Sequence, residues 1–142
     1  MAGISEKDKQ VACFTGHRPK GLPWGYDENR PVCLHFKARL TETLRAVVSQ
    51  GVDTFLTGMA EGFDMMAAEA VLQLKKEFPQ VKLVAVLPCR GQDAKWSLMQ
   101  RQRYKRILSA CNEVITLSPV YTPTCMNDRN RYLVEHADLC IA

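Results

Sequence analysis

The strongest constraint on this chain is an alternation. Short apolar runs end at a glycine, a proline or a polar turn, and stretches of helical period separate them. Residues 11–15 form the first run and stop at Gly16, the pattern of a buried strand followed by a turn. A long loop over residues 16–29 carries Pro19, Gly21, Pro23 and Gly25, and its length points to function rather than mere connection. Pro31 opens a helix in which Leu40, Leu44, Val47 and Val48 keep helical spacing, and Gly51 stops it as a C′ glycine does. Residues 54–57 read as a second strand, 58–62 as a turn, and 63–78 as an alanine-rich helix closed by Pro79. Residues 81–87 are almost uninterruptedly apolar, as in a strand buried on both faces of a parallel sheet. After Pro88 come a helix over 96–110, a strand over 113–117, a helix over 126–137 entered past Pro119 and Pro123, and a last strand over 139–142.

Strand and helix in strict alternation predict an α/β, Rossmann-like, doubly wound parallel sheet with right-handed crossovers and helices on both faces, in three layers. A chain of 142 residues suits a single domain, expected over residues 11–142 behind a flexible N-terminal segment, residues 1–10. The composition is 46% hydrophobic and 24% charged, ordinary for a soluble protein. No apolar run approaches the roughly 20 residues of a membrane span, so no membrane partner is expected. The N-terminus lacks the apolar stretch of a secretory signal, and a cytoplasmic protein is expected. Cys13, Cys33, Cys89, Cys111, Cys125 and Cys140 are scattered through apolar patterns and read as reduced core thiols. They form no C-x-x-C pair and stand at no ligand spacing to His17, His35 or His136, so no metal is expected. No cofactor is indicated. The formal charge of +4 suits an anionic small ligand and falls short of a dense nucleic-acid footprint.

In doubly wound sheets, ligands bind beyond the carboxyl ends of the strands. The first strand delivers Thr15, Gly16, His17, Arg18 and Pro19 there. Gly16 lets backbone approach a ligand, Arg18 pairs with a phosphate, and His17 donates to it or stacks on a base. The second strand delivers Gly58, Met59, Ala60, Glu61, Gly62, Phe63 and Asp64 before a helix, where free N–H groups and the helix dipole attract anions. Glu61 and Asp64 would repel a phosphate, so they face away or bind ribose hydroxyls. The third strand delivers Cys89, Arg90, Gly91, Gln92 and, further on, Trp96, a set suited to holding an anion and covering a ring. Arg101, Arg103, Lys105 and Arg106 on the next helix are read first as a solvated face and second as a nucleic-acid surface. Asn127, Asp128, Arg129, Asn130 and Arg131 gather at the start of the last helix. These residues point to a phosphate-bearing, nucleotide-like small molecule as the partner.

The stretches FTGHRP, LPWGYDE, FLTGMAEGFDMMAAEAVLQLK, VAVLPCRGQDAKW, RYKRIL and DRNRYLVEHADLCIA, in that order from Val11 to Ala142, resemble the YpsA-like members of the SLOG superfamily. That resemblance implies a Rossmann-like domain associated with nucleotide-derived ligands. The superfamily also includes the Lonely Guy phosphoribohydrolases and the DprA proteins that bind single-stranded DNA. The hydrolases carry a helix reading roughly M-x-x-R-K, and here Met126 and Arg129 match it while Asn130 replaces the lysine. Arg129 thus resembles their catalytic arginine, which implies an N-glycosidic hydrolase of nucleoside monophosphates as the second reading. Single-stranded nucleic-acid binding ranks third. The hydrolases' glycine-rich turn, which bears their acidic partner, would begin just after Ala142, so a C-terminal truncation and a pocket lacking one wall are expected. Pairing of copies through their helices is also implied.

Overall fold

A computed structural model describes residues 10–142, so the expected flexible segment, residues 1–10, lies outside the described residues except for Gln10. The elements are β1 (Val11–Phe14), a 3-10 turn (Pro19–Gly21), α1 (Pro31–Ser49), β2 (Thr54–Thr57), α2 (Phe63–Leu74), β3 (Lys82–Leu87), α3 (Leu98–Ala110), β4 (Glu113–Thr116), α4 (Cys125–Glu135) and β5 (Leu139–Ile141). The strands form one parallel sheet in the order β4-β3-β2-β1-β5. This is the expected three-layer Rossmann-like α/β fold.

The order of the strands decides which face each helix covers. From β1 to β4 every crossover steps in the same direction, and right-handed crossovers therefore lay α1, α2 and α3 on one face. The step from β4 to β5 runs the other way and puts α4 on the opposite face. The period-2 alternation of the strands matches this layering. Ala12, Phe14, Phe55, Leu83, Ala85 and Leu87 pack with Leu44 of α1, Val71 of α2 and Ile107 of α3. Cys13, Leu56, Val84 and Val86 pack with Leu133 of α4. On the first face Phe14 stacks on Phe55 with ring centroids 5.8 Å apart, and Phe63 meets the Phe14 ring edge-on at 6.0 Å.

The last helix ends at Glu135 rather than at 137, and two further helix boundaries differ from the expected ones for local reasons. The Ser97 side chain accepts a hydrogen bond from Gln100 N at 3.3 Å, capping α3 at Leu98, and the expected first residue, Trp96, is left in a turn where its N–H bonds to Asp93 O. Helix α2 ends at Leu74 because the chain tightens into i→i+3 bonds such as Lys76 N to Gln73 O. Arg103, expected on a solvated face, is largely withdrawn from it. Its guanidinium bonds to Glu28 on the long loop and Glu69 on α2, and Lys37 of α1 also pairs with Glu28 at 3.0 Å. Burial pushes the Glu28 carboxyl up, but bonds from Arg103 and Lys37 outweigh it and hold the group below its ordinary value. This network pins the long loop to three helices. Among the described residues no helix is long and apolar enough to cross a membrane.

Candidate functional site

The two turns that the glycines mark are packed against each other. A Cβ on Gly16 would lie 2.3 Å from the Phe63 ring, and one on Gly62 would lie 2.6 Å from His17 O. Gly62 also holds φ +91°, a conformation that glycine adopts without strain. His17 O in turn accepts from Phe63 N at 3.0 Å. The first turn therefore approaches the second turn rather than open space. Gly16 and His17 line an apolar recess with Trp24, Phe36 and Phe63, and Thr15 is exposed with its hydroxyl 3.5 Å from Cys140 Sγ.

The second turn satisfies several of its own donors. Thr57 Oγ1 accepts from Met59 N, and Asp64 Oδ2 accepts from Ala60 N, both at 3.2 Å. Asp64 is buried and faces into the turn. Burial raises its carboxyl to about 6, against the opposing influence of Arg129, the Ala60 N–H and Arg18. Met59 takes φ +58° while completely buried, a left-handed conformation that costs on the order of 1–2 kcal/mol in a non-glycine residue. Gln92 holds it there, donating through Nε2 to Gly58 O at 3.3 Å and Met59 O at 3.4 Å.

Arg129 closes the same turn from α4. It is 4% exposed, and its Nη1 donates to Gly58 O at 2.8 Å and to Gln92 Oε1 at 3.3 Å. Its Nε donates to Asn130 Oδ1 at 2.9 Å, leaving Asn130 exposed on the helix surface. A Cβ on Gly58 would stand 2.7 Å from Arg129 Cδ, so glycine at 58 is the condition for this arginine to lie against the backbone. Burial lowers the Arg129 pKa from its ordinary value, with Asp64 opposing.

An open cavity of about 550 Å³ lies above these turns, at the carboxyl ends of β2 and β3. Arg18, Ala60, Glu61, Arg90, Gln92 and Trp96 among the sequence candidates line it. Three cationic side chains, Arg18, Arg90 and Lys95, share its wall with the rings of Trp96 and Tyr121. Glu61 is the carboxylate on that wall, and its Oε1 accepts from Tyr26 OH at 3.0 Å. Trp96 is held edge-on against Tyr104 with centroids 5.1 Å apart. Cations beside flat aromatic surfaces attract an anion carrying a ring.

Residues 12–142 match the family model YpsA, described as the YspA SLOG family. The chain belongs to that family. Among its relatives, the UPF0398 protein of Bacillus pumilus is 27% identical over 135 residues, covering 94% of this chain and 72% of the relative. The SPbeta prophage-derived protein YoqJ of Bacillus subtilis is 29% identical over 125 residues, covering 79% of this chain and 73% of YoqJ. The UPF0398 protein YpsA of Bacillus subtilis is 22% identical over 131 residues, covering 91% of this chain and 72% of that relative. The stretch matched to the YspA SLOG family includes every side chain that lines the cavity.

Within this family member, the sequence candidates separate into three places. Arg18, Ala60, Glu61, Arg90, Gln92 and Trp96 come together on the cavity. Gly58, Met59, Gly62, Asp64 and Arg129 form its buried support, and Thr15, Gly16, His17 and Asn130 lie outside its lining. Sequence reasoning passed over Lys95 and Tyr121 as site residues. Lys95 had a signal in its position directly before Trp96, whereas Tyr121 sits in an irregular loop between Pro119 and Pro123, where no periodicity tells which way a side chain points.

Proposed function

We propose that this cavity binds a phosphate-bearing, nucleotide-derived small molecule. The observation that carries the reading is the convergence of Arg18, Arg90 and Lys95 with Trp96 and Tyr121 around about 550 Å³, within the range of small-molecule sites. The strand order reverses between β1 and β5, and the loop after β1 sends Arg18 from that switch point to the cavity at the ends of β2 and β3. In this reading Arg18, Arg90 and Lys95 neutralise phosphate, Trp96 and Tyr121 cover a flat ring, and Glu61, aligned by Tyr26, accepts from ligand hydroxyls. The buried glycine turn shapes the floor.

Calorimetry with nucleoside mono- and diphosphates and ADP-ribose tests the reading. Micromolar to millimolar binding that weakens about tenfold in Arg90→Ala supports it, the loss expected for one charge-assisted contact. Heats indistinguishable from dilution for every phosphate-bearing ligand reject it. The hydrolytic reading expects its acid after Ala142, with Glu61 on the cavity wall as the substitute, so the same samples are followed by chromatography for released base. Release that disappears in Glu61→Gln would turn a binding site into an N-glycosidic hydrolase.

A further inference from the structure

Among the described residues Arg129 is a buried cation without a close ion pair, and Asp64 acts on it only from beyond contact distance. Among the described residues no carboxylate lies within 4.0 Å of its guanidinium, although burying an unpaired charge is costly. Its Nε and Nη1 are satisfied by Asn130, Gly58 and Gln92. The remaining group, Nη2, finds among the described residues only the thioether of Met126 as an acceptor, with the sulfur 4.0 Å away, and a thioether is a weak acceptor. A second guanidinium reaches the same sulfur from a different element: Arg18 Nη2, on the loop after β1, is 3.9 Å from Met126 Sδ. Arg18 and Met126 both line the cavity, so this sulfur stands between open space and the buried Arg129.

We propose that Arg18 and Arg129 form a two-guanidinium clamp for a terminal phosphate, with the Met126 side chain as a displaceable placeholder in the seat of the phosphorus. The inference rests on the reading of the cavity as a phosphate-ligand site and specifies which end of the ligand goes where. Distance supports it. When phosphate oxygens accept charge-assisted bonds of about 2.8 Å, the phosphorus stands roughly 4 Å from each donor nitrogen, the separation the sulfur now keeps from both. Two donors approaching from separate elements call for a group with several free oxygens. A terminal monoester offers three and close to two negative charges, whereas a diester offers fewer of both. Methionine suits the placeholder role because its unbranched side chain changes rotamer at small cost. Arg129 is held rigidly by Gly58 and Gln92 and supplies the fixed jaw; Arg18, exposed and on a loop, supplies the mobile one.

The experiment measures binding of inorganic phosphate, AMP and adenosine by calorimetry to the full chain and to its Arg18→Gln, Met126→Ala and Arg129→Lys variants, each checked for fold by circular dichroism. AMP is expected to bind at least about tenfold tighter than adenosine. Arg18→Gln should reduce that ratio about tenfold and leave adenosine unaffected. Met126→Ala should raise AMP and phosphate affinity severalfold, a gain that a purely structural methionine does not give. Arg129 is buried, so its variant counts only if folded, and the Arg18 and Met126 variants decide without it. If AMP binds and its advantage over adenosine is the same in Arg18→Gln and Met126→Ala, the clamp is wrong while the cavity reading stands. Inorganic phosphate binding that depends on Arg18, with no AMP binding, supports the clamp and removes the nucleotide. If neither phosphate nor AMP binds at millimolar concentration, both fall.

Discussion

The turn after β2 and the loop after β3 stand side by side beneath the same cavity and are built on opposite plans. The first has the outline of an anion-binding turn, with Gly58 and Gly62 leading into a helix. Yet its N–H groups at Met59 and Ala60 bond to Thr57 and Asp64, and both of its glycines are pressed by the chain's own atoms. The second has no recognisable motif, and its one glycine, Gly91, would meet nothing within 4 Å if it gained a Cβ. It nonetheless supplies Arg90, Gln92, Lys95 and Trp96 to the cavity. A glycine marks where backbone is approached closely; it does not say whether a ligand or another part of the protein does the approaching. Open space is made by long side chains on a loop that can tolerate change.

Glycine replacement breaks this comparison most sharply. Gly62 and Gly91 both take positive φ, +91° and +71°, but Gly62 also holds ψ −127°, a region essentially reserved for glycine, so alanine costs about 1 kcal/mol in backbone strain at 91 and more at 62. Only at 62 does the new carbon also meet backbone, at His17 and Arg18, which cannot swing aside. Gly62→Ala is therefore expected to cost about 3 kcal/mol in urea unfolding and roughly 10 °C in Tm, against about 1 kcal/mol for Gly91→Ala. Equal losses at the two positions would mean that the second turn is no more tightly packed than the loop.

The next test separates the cavity from the network that pins the long loop. Arg103→Ala leaves Glu28 and Glu69 facing each other with a shared partner gone, and about 2 kcal/mol of stability is expected to go with it. Fluorescence of Trp24, carried on that loop, should report loosening before global unfolding. Comparable in size is a pH effect confined to the β2 turn. Asp64 is raised from 3.8 to about 6 by burial, so the stability tied to its neutral form is fully present below about pH 3.8 and is lost as pH rises toward 6. Asp64→Asn keeps an acceptor for Ala60 N and removes that slope, a difference on the order of 2 kcal/mol between pH 4 and 7. Glu28 acts in the opposite sense. Its carboxyl is held below 4.5, so its contribution is present above that value and lost as pH falls through the lowered one. A wild-type-minus-variant curve for Asp64→Asn isolates the first effect from the second.

The fold was legible because the central strand β3 is apolar almost throughout and because proline and glycine punctuate the helices between the strands. Strand order was not, since nothing in β5 itself states that it pairs with β1 rather than continuing beyond β4. At the site, Arg90, Gln92 and Trp96 were legible from their place after a buried strand. The inward turn of Asp64 was hidden because an aspartate in a first helical turn has the same sequence signature whether it faces solvent, a ligand or its own backbone. Arg103 was misread for a related reason: a run of basic residues on a helix says nothing about the two glutamates, Glu28 and Glu69, that fold against it.

The smallest effect is the most informative about the cavity itself. Arg90 is exposed at the rim, and the Arg90 N–H that bonds to Ser118 O at 3.2 Å survives any side-chain change. With Arg18 and Lys95 on the same wall and Glu61 as its carboxylate, removing one of three cations relieves like-charge repulsion while giving up little packing. Arg90→Ala is therefore expected to leave urea-unfolding stability within about 0.5 kcal/mol of the wild type, with a slight gain at low ionic strength that added salt screens away. An exposed wall that braces nothing holds charges that do little for folding. A loss as large as that of Gly62→Ala would instead make the β3 loop a structural brace like the turn beside it, and the difference between the two regions would disappear.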